Sequence, residues 1–523
     1  MNKKAFTGLF LLIVIAAASF RLADLGLRPM HHDEANQALK FGALLERGEY
    51  RYDKADHHGP SLYYLSLPFA RILGADTLAA LDERTLRMVP ALFGVGVVLL
   101  LLLFVPLIGR EALLWGALGL ALSPVMVYFS RFYIQETLLL FFLVGLIAAA
   151  LRYRRRPSWG WAAAAGSFAG MMYATKETSV IAFGAIAVAL LLTRLAGRAE
   201  KEKGLPADSS RPRVRWEHLL LGAACAVFIS FLLFTSFFQN PRGWLDSILS
   251  FQIYFVRAGE AGFHVHPWLY YFQTLAFSRS GAGPVWSEAL ILVLAALGMI
   301  AAFRGRPSPA AERTTLRFLV FYTGLSTAAF SLIPYKTPWN ILPFYIGFIV
   351  LAGGGTAALL RSFRSRQVRA VVFLAVTAGF LHLGLQAWRA NFVYPADPRN
   401  PYVYAQTSPD FLKLIRRVEE LRAVHPDHEK MLIKVIAGPY EIWPLPWYLR
   451  RFGRVGYWHE AASAGPPEDA AVVISDTRQA GSLESLLNGS FQSEYYELRP
   501  NVFLVLHIRA DLWEEYLKSR SER

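Results

Sequence analysis

Long apolar runs of about 20 residues each recur from the N-terminus to about residue 390, with short polar turns between them. A run of this length crosses about 30 Å of hydrocarbon when it is helical. We therefore expect an α-helical polytopic membrane protein with about eleven transmembrane helices. The apolar runs place these helices near residues 5–24, 85–106, 111–129, 132–151, 158–175, 177–193, 217–238, 285–303, 316–333, 339–360 and 368–389.

The rest of the chain has the pattern of a small soluble α/β domain. FLKLIRRVEELRAV has apolar positions at helical spacing, whereas MLIKVIAG, AAVVISD and NVFLVLHI are short apolar runs typical of strands. The sequence thus predicts a membrane domain over residues 1–390 and a second domain over residues 391–523. Two long loops on the outer side, 25–84 and 239–284, interrupt the predicted membrane domain.

The distribution of charge agrees with a membrane protein. Charged residues make up 18% of the chain, against about 25% in soluble domains. The net charge of +15 could suit nucleic acid, but most of the clustered Arg and Lys lies in alternate short loops, as the positive-inside rule requires. We therefore expect no nucleic-acid partner. We expect a multi-pass protein of the cytoplasmic (inner) cell membrane, with a cytoplasmic N-terminus and an extracytoplasmic C-terminal domain.

The first apolar run is interpreted as an uncleaved signal anchor rather than a signal peptide, because an acidic motif follows it at once. Asp33 and Glu34 form this motif, and Glu136 lies about one turn into a later apolar run. A solvated loop would explain the first two acids, and a side chain extended to water would explain Glu136. An acid at this depth otherwise needs a polar cavity or a partner, and a carboxylate at the membrane surface can act as a general base.

Basic residues lie at helix junctions on the same predicted side. They are Arg131, Lys176 and Lys336, with Glu177 next to Lys176 and Tyr335 next to Lys336. A lone lysine at a helix end commonly extends to water and has no further role. Together with the acids, these cations suit a substrate that carries a phosphate and reacts through a hydroxyl.

Histidines are concentrated in the two long outer loops. His57 and His58 precede a short amphipathic segment, while His31 and His32 precede Asp33. His31, His32 and Asp33 are candidate ligands of a divalent metal, but their spacing matches no known metal motif. We therefore expect that no cofactor is required and keep a divalent metal as the alternative.

The motifs in this order resemble the GT-C glycosyltransferases, and within them the branch of protein O-mannosyltransferases and aminoarabinose lipid A transferases. The residues of these motifs are most similar to those of prokaryotic membrane proteins described as flippase-associated or dolichyl-phosphate-mannose-mannosyltransferase-like. The resemblance covers about residues 1–411. It rests on HHDEA at 31–35, HHGPSLYYL at 57–65, SRFYIQETLLLFF at 130–142, TKE at 175–177, YKTPWNILPFY at 335–345 and NPYVYAQTSPDF at 400–411.

The resemblance implies an enzyme that transfers a sugar, of hexose or mannose type, from a polyprenyl phosphate to an acceptor with inversion, outside the membrane. It implies Asp33 as the base that activates the acceptor hydroxyl, Glu34 as its support or as a contact to the acceptor, and Glu136 at a second acidic position. The acceptor (protein, lipid or polysaccharide) is not indicated. The implied contacts to the donor and its phosphate are Arg131, Lys176, Glu177, Lys336, His57, His58 and Tyr335.

Three other functions remain as alternatives. A transporter or flippase of lipid-linked sugars would carry charges at mid-helix and have symmetric halves, whereas the charges here gather at helix ends. An oligosaccharyltransferase-like enzyme would need a metal and a recognisable acceptor-binding motif in a larger outer domain. A non-catalytic scaffold of cell-envelope assembly is the third alternative.

Overall fold

The computed structural model describes residues 1–55, 58–202, 214–259, 264–303, 310–487 and 489–521. Helices make up most of the chain up to Trp388, and apolar faces of these helices form one continuous core. The helices are α1 Lys3–Leu22, α2 His32–Arg47, α3 Ser61–Ile72, α4 Glu83–Leu100, α5 Val105–Ile108, α6 Arg110–Leu122, α7 Pro124–Ser130, α8 Glu136–Arg155, α9 Trp159–Tyr173, α10 Ser179–Glu202, α11 Trp216–Phe234, α12 Gly243–Gly259, α13 Tyr270–Ala276, α14 Ala289–Phe303, α15 Ala310–Leu332, α16 Leu342–Ser362 and α17 Arg366–Trp388.

Seven helices of the described ranges are long and apolar enough to cross a membrane, or eight if α6 and α7 form one bent span. The predicted number of eleven is therefore not confirmed, whereas a multi-pass membrane protein is. The axes of α6 and α7 differ by 59°, because the chain breaks at Ser123 and Pro124, where proline starts a new helix. The apolar run at 285–303 forms only the 15-residue α14.

Small residues let the central helices approach closely. A Cβ added at Gly355 of α16 would clash with the backbone of α14 at Leu294, and one added at Gly353 would clash with α6 at Ala112. Close backbone approach through small residues is how membrane helices pack when the surrounding lipid is as apolar as their side chains. Accordingly α16 is the most buried of the candidate spans, at 94%.

The C-terminal part contains a five-stranded mixed sheet with strand order β2-β1-β3-β5-β4. The first three strands in this order are parallel, and the last two pair antiparallel. Alternate residues of β1 and β3 face two separate apolar clusters, one against α18 and α21 and one against α20. The elements are α18 Phe411–Val424, β1 Ile433–Ile436, α19 Leu445–Tyr448, β2 Val455–Trp458, β3 Val472–Asp476, α20 Thr477–Leu487, β4 Phe491–Arg499, β5 Val502–Arg509 and α21 Ala510–Ser521.

The sheet domain is attached to the helical part through the segment that follows β1. Trp447 Nε1 donates a hydrogen bond to Glu83 Oε1 at 3.0 Å, and Tyr448 Oη accepts one from the Met30 backbone N–H at 2.9 Å. Arg450 lies over the Trp447 ring and donates to the carbonyl oxygen of Leu78. These contacts hold the sheet domain next to the loop that connects α1 to α2 and next to the segment that leads into α4. The predicted domain boundary at residue 390 stays a prediction.

Candidate functional site

The HHDE motif forms the start of α2. His31 is the N-cap residue: its Nδ1 accepts a hydrogen bond from the Asp33 backbone N–H at 3.0 Å, and Glu34 Oε2 accepts one from the His31 backbone N–H at 3.0 Å. This reciprocal arrangement is a capping box, in which the side chains satisfy the free N–H groups of a helix start. It fixes Asp33 and Glu34 in the first turn of α2, pointing in different directions.

Glu34 is fully buried and paired with Arg87 of α4. Arg87 Nη2 and Nε lie 2.6 and 2.7 Å from the two carboxylate oxygens, and the Tyr133 backbone N–H donates to Oε1 at 2.9 Å. Burial raises the pKa of Glu34, but the Arg87 charge and these hydrogen bonds outweigh it and hold the pKa at about 2. With the His31 N–H, the carboxylate accepts bonds from three residues. This geometry fits the predicted supporting role of Glu34 and disfavours contact with an acceptor.

Asp33 has a more accessible carboxylate, because 43% of its side chain is exposed. Burial raises its pKa, but the electrostatic effects of His31, His32, His58 and Lys176 act in the opposite direction, and the net effect is a lowered pKa. Asp33 is therefore ionised at neutral pH. A carboxylate that is ionised and accessible can accept a proton from a bound hydroxyl.

Two ion pairs lie at the turn between α9 and α10. Lys176 Nζ pairs with Glu136 Oε1, and His58 Nδ1 lies 2.9 Å from Glu177 Oε2. Lys176 and Glu136 are almost completely buried, and Glu136 Oε2 is buried without a hydrogen-bond partner among the residues that the structure describes. The structure thus brings together Glu136, Lys176, Glu177 and His58 next to Asp33, as predicted for one polar site, although their predicted functional roles stay predictions. His57 lies outside the described residues.

Lys336 and Tyr335 lie in a short extended pairing between two loops. The Lys336 N–H donates to the His264 carbonyl at 2.8 Å, and the His266 N–H donates to the Pro334 carbonyl at 3.2 Å. Lys336 Nζ donates to the carbonyls of Ile333 at 2.6 Å and His266 at 3.0 Å, and burial lowers its pKa. Tyr335 packs on the His264 ring with centroids 4.5 Å apart. The phosphate role of Lys336 stays a prediction.

Arg131 has a different environment from the one its predicted role requires. Its guanidinium donates to the carbonyls of Phe20, Arg21, Ala23 and Asp24, where α1 ends. The carbonyls at a helix end lack intrahelical partners, so a guanidinium there stabilises the helix. Nη1 and Nη2 of Arg131 already donate to these four carbonyls, and its phosphate role stays a prediction.

The metal alternative finds no ligand geometry in the described ranges. Nδ1 of His31 accepts from Asp33 and Nε2 lies 3.0 Å from the Tyr404 carbonyl, so neither ring nitrogen is free to ligate. The His32 ring stacks on Trp443 with centroids 5.3 Å apart. The described residues contain no group of three or more His, Cys, Asp or Glu side chains that could hold a metal ion.

Residues 61–242 match the family model of dolichyl-phosphate-mannose-protein mannosyltransferases. The crystal structure of apo ArnT from Cupriavidus metallidurans superposes with a TM-score of 0.64 at 16% identity, over 97% of this chain and 99% of that chain. The same ArnT bound to undecaprenyl phosphate gives a TM-score of 0.60 at 15% identity, over 98% and 99% of the two chains. The chain has the fold of the GT-C glycosyltransferases.

The resemblance inferred from the motifs is thereby confirmed, and so is the fold class of a helical membrane protein with a small C-terminal sheet domain. The GT-C fold extends to the oligosaccharyltransferase AglB from Archaeoglobus fulgidus, in complex with an inhibitory peptide and a dolichol-phosphate. Its TM-score is 0.54 at 12% identity, over 98% of this chain and 77% of that chain. No curated protein sequence matches the chain.

The sequence did not assign three residues of this polar site, which are Tyr404, His264 and Arg87. Tyr404 connects two loops: its carbonyl lies 3.0 Å from His31 Nε2, and its hydroxyl lies 2.8 Å from His264 Nδ1. The negative charge of Asp33 acts on both Tyr404 and His264, which are therefore its neighbours. Tyr404 lies in the NPYVYAQTSPDF motif, which was recognised without a role. Arg87 had a signal of its own, since an arginine inside an apolar helix requires a partner.

Proposed function

We propose that the protein transfers a sugar from a polyprenyl-phosphate donor to an acceptor hydroxyl, with inversion, on the extracytoplasmic side of the cytoplasmic membrane. The observation that supports this proposal most is that the adjacent acids Asp33 and Glu34 have different environments. Glu34 forms a buried ion pair with Arg87, while Asp33 is ionised and accessible. The ArnT relative binds undecaprenyl phosphate, and we extend a lipid-phosphate donor to this chain as part of the proposal.

The reaction is a single displacement. An acceptor hydroxyl gives its proton to a carboxylate oxygen of Asp33 while its oxygen attacks the anomeric carbon of the donor sugar. The bond from that carbon to the phosphate oxygen breaks, and the bond electrons leave with the polyprenyl phosphate. The departing phosphate needs cations rather than an acid, because it leaves as an anion, and Lys176 and Lys336 are the cations that we assign to it.

Glu136 has a separate role in this proposal. Its Oε1 pairs with Lys176 Nζ, and its buried Oε2 accepts no hydrogen bond from any of the described residues. A buried carboxylate oxygen without a partner carries a free-energy penalty, which a sugar hydroxyl could remove by donating a hydrogen bond to it. Glu136 thus positions Lys176 and contacts the donor sugar, while Asp33 handles the proton.

The test is a transfer assay on purified protein in lipid nanodiscs, with radiolabelled polyprenyl-phosphate hexoses and a cell-envelope extract as acceptor. We expect label to reach the acceptor with wild type and not with Asp33→Asn, although both proteins bind donor. Asp76→Asn is the matched control, because Asp76 is an exposed acid of the same loop. Normal transfer by Asp33→Asn would overturn Asp33 as the base. Failure of the wild type to bind any polyprenyl-phosphate sugar would overturn the enzyme.

A further inference from the structure

A surface cavity of about 430 Å³ lies where α17 ends. Its walls are the segment 282–284 and the side chains of Trp388, Arg389, Val393 and Tyr394. None of the residues assigned to sugar transfer contributes to it. The volume is that of a small-molecule site, which typically spans about 300–1,000 Å³.

The cavity lies beside the face of α17 that we expect to contact lipid. The span Arg366–Val393 is only 22% buried, and Leu381, Leu385 and Trp388 are exposed along one face of α17 at helical spacing. In a helix that crosses a membrane, such a face contacts acyl chains. Trp388 lies at the end of the span, the level at which tryptophan commonly marks the boundary between hydrocarbon and headgroups.

The entrance is positively charged. Arg389 is exposed, and its guanidinium has no hydrogen-bond or ion-pair partner in the part of the chain that the structure describes. Arg279 donates through Nε to the Gly283 carbonyl at 3.2 Å, and Arg399 lies over the Tyr394 ring at 5.2 Å. Asp397 pairs with Arg399. Arg389, Arg279 and Arg399 therefore adjoin the cavity, and Asp397 offsets one of these charges.

The walls are held in place by polar contacts rather than by loose packing. The last turn of the span is a π-turn, in which the Tyr394 N–H donates to the Arg389 carbonyl at 2.8 Å. Asn400 Nδ2 donates to the Tyr394 carbonyl at 2.9 Å, and Trp286 Nε1 donates to the Arg399 carbonyl at 2.8 Å. π-turns are rare and frequently occur at functional positions, because they widen the helix locally.

We propose that this cavity binds the phosphate headgroup of an anionic phospholipid, in the leaflet on the side of the sheet domain. The Arg389 guanidinium offers two parallel N–H donors to phosphate oxygens, and Arg279 adds a second charge. The acyl chains lie along Leu381 and Leu385, and the Trp388 ring packs against the glycerol region. Basic pockets beside membrane helices are typical headgroup sites, and the position beside this face of α17 distinguishes the cavity from a surface for a soluble partner.

The experiment is native mass spectrometry of the purified full chain with defined amounts of phosphatidylglycerol or phosphatidylcholine. We expect wild type to retain phosphatidylglycerol preferentially and Arg389→Gln to bind it about tenfold more weakly, as the loss of a charge-assisted hydrogen bond predicts. Arg369→Gln is the matched control, because Arg369 is an arginine near the opposite end of the same helix. This control should bind like wild type.

Other results would overturn the proposal. Equal retention of phosphatidylglycerol by Arg389→Gln and wild type would remove Arg389 from the site. Equal retention of phosphatidylglycerol and phosphatidylcholine by the wild type would mean that lipid binds only nonspecifically. Displacement of phosphatidylglycerol by an equal amount of polyprenyl phosphate would assign the site to the carrier lipid instead. If Arg389→Gln is unstable on heating, Arg279→Gln provides the same comparison. Sugar transfer is not measured here, so failure of the proposed function leaves the result unaffected.

Discussion

Glu34 and Arg87 form a two-armed ion pair, with Arg87 Nη2 2.6 Å from Glu34 Oε2 and Nε 2.7 Å from Oε1. Arg87 also donates to the carbonyls of Leu25 and Arg28. The pair therefore ties α2, α4 and the loop after α1 together beneath the exposed Asp33. One acid of the HHDE motif builds the site, and its neighbour is available for chemistry.

We expect Glu34→Gln to lower stability rather than to remove a chemical step. Loss of one partner from a buried ion pair typically costs about 3–5 kcal/mol, because the other charge stays buried without compensation. Thermal unfolding in detergent should show a clear drop for Glu34→Gln and none for Glu49→Gln, an exposed acid near the end of the same helix. A Glu34→Gln protein with wild-type stability and no transfer activity would contradict this and make Glu34 part of the chemistry.

The same ion pair predicts a flat pH response in the neutral range. Glu34 has a pKa of about 2 in the folded protein, below its ordinary value of 4.5. Its contribution to stability is therefore complete above about pH 4.5 and is lost as the pH falls through 2. Between pH 5 and 8, the unfolding temperature should depend on pH in the same way in the wild type and in Glu34→Gln. A slope that disappears in this variant would contradict the assignment.

His507 predicts acid sensitivity of the sheet domain. Its imidazole bridges Ser475 at 3.0 Å and Ser493 at 2.8 Å, and burial lowers its pKa from 6.5 to about 4. The unfolded chain binds a proton first as the pH falls, so stability declines between about pH 6.5 and 4 and is unaffected above 6.5. The loss approaches about 3 kcal/mol, because each pKa unit corresponds to about 1.4 kcal/mol. The unfolding temperature of the full chain should fall less between pH 7 and pH 4 in His507→Asn than in the wild type. An equal fall in both proteins would exclude His507 as the cause.

The sequence predicted the parts of the molecule that local patterns encode. Apolar runs predicted a multi-pass helical protein, and the C-terminal pattern of strands and helices predicted a small α/β unit. The number of spans was not confirmed, because the apolar runs of α9 and α14 form helices of only 15 residues each and Pro124 breaks the run at 111–129 into two helices. Hydropathy alone does not distinguish a spanning helix from a bent or short one.

The contacts of the site could be predicted only in part. The motifs indicated which residues would gather, but not which would pair, since Glu34 and Arg87 are 53 positions apart and His31 and Tyr404 are 373 apart. No periodicity connects residues at such separations. Arg131 illustrates the limit: the sequence grouped it with the cations of the outer face but did not indicate that its Nη1 and Nη2 donate to four carbonyls at the end of α1.

Tyr404 provides a test of how the linker to the sheet domain affects catalysis. Tyr404→Phe removes the hydroxyl that meets His264 at 2.8 Å and leaves the carbonyl that His31 contacts. We expect the protein to stay folded and kcat/KM to fall about tenfold, the value of one hydrogen bond near a charged group. In a His264→Phe background the same change should have little further effect, because two residues that act through one contact are not additive. Fully additive losses would mean that Tyr404 acts on substrate independently of His264.

Variants of the buried Lys176–Glu136 pair distinguish an effect on stability from an effect on donor binding. Lys176→Met leaves the Glu136 carboxylate buried without a compensating charge, since no described residue donates a hydrogen bond to its Oε2. The variant should be destabilised by about 3 kcal/mol or more. The double variant Lys176→Met/Glu136→Gln removes both charges and should recover most of that stability. It should still bind polyprenyl-phosphate sugar weakly, because the cation proposed to meet the phosphate is gone. Thermal unfolding and donor binding measured on the wild type, both single variants and the double variant distinguish the cases. Recovery of donor binding together with stability in the double variant would show that Lys176 serves only to neutralise Glu136.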